Sequence, residues 1–385
     1  MTTDADILRA NEPTERLDTL IIEDPYRRWL DREGVKIIDE YAFEDLNTVE
    51  LGPWERKGGK GAAINIPYPM LINDSHLIEI KPGGMSEPEH HLYEEIIYVV
   101  SGRGATSVWI GDGPKQTFEW KAGSMFAIPL NATYQNFNAS GDEPARYLGV
   151  TTAPPMMRWF GDDDFIFNND FVFSSRFKQD ETTFSGNGKL YTGRIWDASF
   201  MPNVPDMPLY AWDARGAGGI NVMFEMAGNS MKGHVSEFPV GTYKKGHRHG
   251  PGAHLLILSG DAGYSLTWTE DDMSDVRKAD WKVGSMVIVP SAGCYHQHFN
   301  TGSRRARYLA LGYGARGEAP GLFAPYAGSG NADVSIKDGG MQVEYPDENP
   351  MVLDMFEEDC IKHGAMPAMR SYFPNRKQFP VKLPE

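Results

Sequence analysis

Five of the ten histidines in this 385-residue chain lie between 247 and 298: His247, His249, His254, His296 and His298. In a strand, residues i and i+2 share a face. His247 and His249 can therefore aim together into an interior, and His296 and His298 form a second such pair on a later segment. Two strands that bring these imidazoles into one cavity make a nitrogen-rich site, which suits Fe, Zn, Cu or Ni. A lone histidine is usually a polar residue with one hydrogen bond, and a His-x-His pair can face solvent. Two pairs so close together favour a metal site over either plain role.

The scaffold that would position them is repeated. WKAGSMFAIP (120–129) returns as WKVGSMVIVP (281–290), and RYLGV (146–150) returns as RYLAL (307–311). Gly83 and Gly102 upstream correspond to Gly241 and Gly260. Internal repetition of this kind marks two copies of one folding unit. Each copy reads as short β-branched or aromatic runs bounded by Gly, Pro or Asp, such as EIIYVVSG (95–102) and HLLILSG (254–260). No apolar period of 3.6 is sustained within either copy. The expected class is all-β, with two tandem jelly-roll-type barrels and a few helices near the N-terminus and in the connections. The expected division is an arm with a short helix at 1–59, a first barrel at 60–155, a connection at 156–224, a second barrel at 225–315 and an extension at 316–385. The helix is expected within Ile22 to Leu30, with Asp24 before Pro25 as its start signal.

Composition narrows the function. With 37 basic and 53 acidic residues the formal net charge is -16, which argues against a general nucleic-acid binder. No apolar run approaches the ~18 residues of a membrane span, and the polar, acidic start does not read as a secretory signal. Two cysteines, Cys294 and Cys360, make no disulfide framework. A reducing, cytoplasmic location is the expectation. The expected partners are a small-molecule substrate and O2, with no nucleic acid and no membrane.

GTYKKGHRHGPGAHLLILSG (241–260) followed by GSMVIVPSAGCYHQHFN (284–300) resembles the paired signature motifs of the cupin superfamily. Gly241, His247, His249 and Gly260 fall into the first motif, and Gly284, Pro290, His296 and Asn300 into the second. With the repeat, the chain resembles a bicupin. The position of the customary glutamate ligand is Ala253, a feature shared with gentisate-type ring-cleaving dioxygenases. That resemblance implies His247, His249 and His296 as ligands of Fe(II). It also implies an O2-consuming cleavage of a C–C bond in a hydroxylated aromatic acid or an enolisable substrate, and a homo-oligomer, dimer or tetramer. In that family the metal lies in the N-terminal barrel, whereas these histidines lie in the C-terminal one. Mn, Zn or Ni are the alternative metals. They would go with a lyase, decarboxylase or isomerase in which the metal is only a Lewis acid and O2 is not consumed. A non-catalytic small-molecule-binding bicupin is the third reading.

The remaining residues are weighed against plainer roles. His298 either hydrogen-bonds a bound species as a catalytic residue or is an ordinary buried histidine. His254, one place past the ligand position, should point away from the cavity. Tyr264 and Trp268 could line it, or belong to the core. Arg304 and Arg307 are candidates for a substrate carboxylate, although Arg146 in the other copy favours a structural role for Arg307. Cys294 reads as a small core residue. In the first copy the ligand positions become Glu89, His91, Glu95 and Tyr134. A metal-free barrel is expected there.

Overall fold

The computed structural model describes residues 24–65, 72–177, 179–191, 194–249, 252–290, 293–313 and 332–374. The rest of the expected arm (1–23) and parts of the expected extension (314–331 and 375–385) lie outside these. Among the described residues no helix is long and apolar enough to cross a membrane.

The fold is all-β, two barrels of one design. In the first, a large sheet runs in the order 36–38, 59–64, 74–80, 145–151, 95–101, 125–128, 200–201, with 52–54 added beside 59–64. It faces a small sheet ordered 133–138, 103–109, 116–121. The second barrel repeats this, with 220–225, 231–238, 306–313, 253–259 and 286–289 in the large sheet and 295–300, 263–268 and 277–281 in the small one. Strand Ile220–Glu225 therefore belongs to the second barrel, although all of it but Glu225 falls within the expected connection.

Alternation along the large-sheet strands divides their side chains between two interiors. Ala253, Leu255 and Ile257 point into the second barrel's own core. Leu256, with Leu309 and Leu311, points the other way, into a core shared with Ile96, Tyr98, Leu148 and Val150 of the first barrel. The two large sheets are thus packed face to face. Each barrel also borrows an edge. Ala42–Phe43 of the arm pairs with Met286–Val289 of the second barrel, and Phe200–Met201 of the connection pairs with the first.

The N-terminal helix spans Pro25–Glu33, where proline pre-sets the first turn. The Asp24 side chain accepts from the Tyr26 amide and also pairs with Arg158. The sequence reading gave no helix to the extension, yet Pro350–Lys362 forms one. Val352, Leu353, Phe356 and Cys360 give it a buried face against Tyr243, Tyr264 and Phe299. Asn349 caps it, and Pro350 opens it.

Glu94 clamps the barrels together. It is buried, and its carboxylate accepts from the Ser230 amide and hydroxyl and from the Met231 amide, while Arg176 pairs with it at 3.1 Å. Glu94→Ala leaves those donors and Arg176 without their acceptor. It is expected to lower unfolding free energy by about 3 kcal/mol in urea denaturation. A loss below about 0.5 kcal/mol would show that the clamp carries no weight.

Candidate metal centre

Register decides which side chains meet. His247 is paired with His296 across adjacent strands, and His249 follows two residues later on the same side. Their ring centroids lie 4.1 Å (His247 to His296) and 4.8 Å (His249 to His296) apart. One ring nitrogen from each of the three lies within 4.8 Å of the other two. Among the described residues no other group of three or more such ligands is so close.

The rings are also aimed. His247 Nδ1 sits 3.1 Å from the Lys245 carbonyl and His296 Nδ1 3.4 Å from the Cys294 carbonyl. A carbonyl only accepts, so each Nδ1 carries the hydrogen and each Nε2 lone pair is left for a cation. Burial drives His247 and His249 well below the usual imidazole range and His296 to about 3, with nearby Arg215 adding to the shift on His247 and His296. The three rings are neutral at pH 7, the form that binds metal.

These histidines open into a cavity of about 120 Å³. His298 lines it, with Nδ1 2.9 Å from Ser265 Oγ, which in turn accepts from Trp281 Nε1 at 3.2 Å. His234, Tyr308 and Lys232 line it too. Lys244 is buried beside it and donates to the Tyr308 hydroxyl at 3.1 Å. Burial holds the Lys244 ammonium well below its usual range.

Two arginines and an asparagine complete the wall. Arg215 is buried, paired to Asp333 at 2.7 Å, and donates to the Ala332 carbonyl. Arg194 has φ 70°, a conformation that L side chains rarely adopt, and its Nε is buried without a hydrogen-bond partner. Asn221 is 0% exposed, and neither its carboxamide oxygen nor its nitrogen has a partner. A buried amide left unsatisfied costs about 1–3 kcal/mol. Its place on the cavity wall makes a bound polar molecule the natural partner.

Four expected substrate contacts lie elsewhere. Tyr264 is the cross-strand partner of Phe299, and Trp268 of Tyr295. That is the face opposite His296 and His298, so both rings pack in the core under the C-terminal helix. Ser265 and Thr267 hold the cavity-side positions instead. Arg304 is exposed in the turn before the last strand. Arg307 is taken up by Glu237 and by the Pro205 and Met207 carbonyls. His254 points into the core between the barrels, where Nδ1 lies 3.2 Å from Asn73 Nδ2. Cys294 is buried, and burial raises its thiol to about 11.

The sequence reading missed Arg194, Arg215, Asn221 and His234. Only His234 left a signal. Extending the repeat upstream matches His76 to His234, and the structure agrees, since His76 pairs with Gly149 as His234 pairs with Ala310.

Residues 76–151 match the family model described as Cupin domain. That stretch lies in the first barrel, whose sheet order the second barrel repeats. Among curated relatives, the probable oxalate decarboxylase of Arthroderma benhamiae is 37% identical over 119 residues, covering 29% of this chain and 28% of that protein. Oxalate decarboxylase of Bacillus subtilis is 30% identical over 109 residues, covering 26% of this chain and 27% of that one. The matches span little more than a quarter of the length of these relatives. A solved structure of the Bacillus subtilis enzyme at pH 4.6 aligns with 72% of this chain and 76% of its own, at 15% identity and a TM-score of 0.46.

These relatives overturn the expected activity. They are named as decarboxylases, not as gentisate-like ring-cleaving dioxygenases. The reading of an Fe(II) enzyme that consumes O2 to open an aromatic acid is therefore corrected, and with it the expectations of iron, of O2 as partner and of aromatic catabolism. The cavity, at about 120 Å³, is small beside the ~300–1,000 Å³ of drug-sized ligand sites.

The neutral histidines set a pH limit on stability. Burial holds His234, His247, His249 and His298 well below the usual imidazole range, and His254 and His296 at about 3. An unfolded chain protonates the same rings below about pH 6.5. Their contribution is present above that value and is lost as pH falls from there toward 3. Metal-free protein is expected to lose stability between pH 6.5 and 5, by up to about 1.4 kcal/mol per pH unit for each histidine. Urea denaturation at stepped pH checks this. A stability that stays level across the window would contradict the neutral assignment.

Proposed function

We propose that the second barrel is a metal-dependent decarboxylase of a small dicarboxylic acid of about the size of oxalate. The observation that carries this reading is the cavity itself. Three imidazoles, those of His247 and His296 anchored by backbone carbonyls, open into a space of about 120 Å³ whose wall also presents Arg194, Arg215 and an unpartnered Asn221. The names of the curated relatives support it.

His247, His249 and His296 would hold one divalent ion of the Mn, Zn or Ni kind, His247 and His296 offering Nε2. When bound, the ion acts as a Lewis acid on a substrate carboxylate oxygen. The other carboxylate lies against Arg194 and Asn221, whose amide nitrogen donates to it, while Arg215 adds positive charge from behind its pair with Asp333. Decarboxylation breaks the bond between the two carboxyl carbons. CO2 leaves, the electron pair stays on the remaining carbon, and a proton joins it to give formate from hydrogen oxalate. His298 relays that proton from the substrate's own carboxyl group to the carbon, held in orientation by Ser265 and Trp281. Neutral imidazole at pH 7 also keeps the cavity from repelling the ion.

The test is metal content and turnover on one set of proteins. Metal-loaded wild type is expected to convert oxalate to equal amounts of formate and CO2. His296→Ala is expected to lose the ion and at least about 100-fold in activity. His298→Ala should keep the ion and lose about 100-fold in kcat. Asn221→Ala should raise KM about tenfold. Fully metal-loaded protein that leaves oxalate, malonate and small 2-oxo acids untouched would sink the reading.

A further inference from the structure

The first barrel holds a second constellation at the corresponding place. Glu89 bridges to Tyr134 as His247 pairs with His296. Glu95 pairs with Ile128 as Ala253 pairs with Val289. His91 follows Glu89 by two, as His249 follows His247. Glu89, His91, Glu95 and Tyr134 therefore stand where the second barrel places its three imidazoles and Ala253.

What lies among them is an ammonium group. Lys57 is 0% exposed, and its Nζ donates to Glu89 Oε1 at 2.5 Å and to the Tyr134 hydroxyl at 3.2 Å. The Tyr134 oxygen is 2.7 Å from both Glu89 Oε1 and Glu95 Oε2. His76 Nε2 is 2.8 Å from Glu95 Oε1, and His91 Nε2 is 3.3 Å from Glu95 Oε2. His91 Nδ1 is spent on the Tyr93 carbonyl at 2.8 Å, so this ring is presented Nε2 first, as His247 and His296 are. Glu89 Oε2 is buried with no hydrogen-bond partner. Two buried carboxylates need a compensating cation. A lysine reaching in from the turn between strands 52–54 and 59–64 supplies one without any ion.

We propose that the first barrel is a metal site occupied by its own lysine. The Lys57 ammonium takes the place of a divalent cation, and removing it opens a site in which Glu89, His91 and Glu95 hold one. The arrangement leaves the native chain a single-metal protein. It also accounts for carboxylates at positions where the other barrel has neutral groups: one covalently tethered positive charge is matched by anionic partners, whereas a free divalent ion is met by imidazoles.

The experiment counts zinc, a probe that accepts both imidazole nitrogen and carboxylate oxygen. Wild type, His296→Ala, Lys57→Met and the Lys57→Met/His296→Ala double variant are equilibrated with zinc chloride, desalted and assayed by atomic absorption, with circular dichroism for folding. Lys57→Met is expected to carry one more zinc per chain than wild type, and the double variant one more than His296→Ala. Adding Glu95→Gln should abolish that extra equivalent. The difference within each pair reads the first barrel alone. A failure of the second-barrel reading appears separately, as equal zinc in wild type and His296→Ala. Lys57→Met that unfolds without zinc and refolds with it also supports the proposal. Folded Lys57→Met with no extra zinc overturns it, and so does a variant that stays unfolded with zinc present. Lys57→Ser, smaller and polar, is run alongside and must follow the same pattern.

Discussion

The strand Tyr295–Asn300 is buried along its whole length, and the second barrel depends on that double burial. Its side chains alternate between two environments that cannot exchange without a one-residue slip. His296 and His298 face the cavity, while Tyr295 and Phe299 face the C-terminal helix. The apolar side fixes the polar side. Tyr264 stacks on Phe299 at 4.4 Å and Trp268 on Tyr295 at 5.4 Å. Moving the strand by one residue would bury two imidazoles in an aromatic core and expose two aromatic rings to the cavity. Helix Pro350–Lys362 is therefore part of the site, although it contributes no ligand. By covering the outer face, it turns a strand that could have met water into one held on both sides.

A similar economy joins the barrels. The large-sheet strands that line each interior also build the shared core, so a residue's parity decides which barrel it serves. In the strand Ala253–Ser259, Ala253 sits at the ligand end of the cavity, and the next residue, His254, reaches Asn73 of the other barrel. In the strand Glu95–Ser101, Glu95 lies in the first barrel's polar interior, while Glu94 just before the strand clamps Ser230 and Met231 of the second. Each fully buried aliphatic side chain in the shared core is worth about 1.5–3 kcal/mol. The two units should unfold together rather than as independent domains.

The architecture was legible because it rests on local signals. Repeated Gly and Pro positions, short β-branched runs and the His-x-His pairs all survive without knowledge of which strand lies beside which. The cavity wall was legible only in part, because it depends on register. Tyr264 and Trp268 alternate correctly for a shared face, but nothing in their own segment says whether that face is shared with His296 or with Phe299. Arg304 and Arg307 were near in sequence, whereas Arg194 reaches the cavity from a turn and Asn221 from a strand, both far upstream. The glutamate-free ligand set is a feature of residues, and it narrowed the chemistry too far: an alanine at position 253 is compatible with more than one reaction class.

The two barrels separate what the scaffold requires from what chemistry requires. Asn138 donates to the carbonyls of Ile80, Lys81 and Glu143, and Asn300 donates in the same way to Phe238, Pro239 and Arg304. Trp120 donates to Thr106 as Trp281 donates to Ser265. These pairs hold strand ends and sheet edges wherever the barrel forms, so they persist in both copies. The positions that differ are the ones around the central charge. Glu89, Glu95 and Tyr134 face Lys57, whereas His247, Ala253 and His296 face open space. A buried charge sets its neighbours: carboxylates suit a tethered monocation that must stay, and neutral imidazoles suit a site that exchanges ion and substrate. On one scaffold, a tethered ammonium at the centre therefore goes with carboxylates, and an open cavity goes with imidazoles.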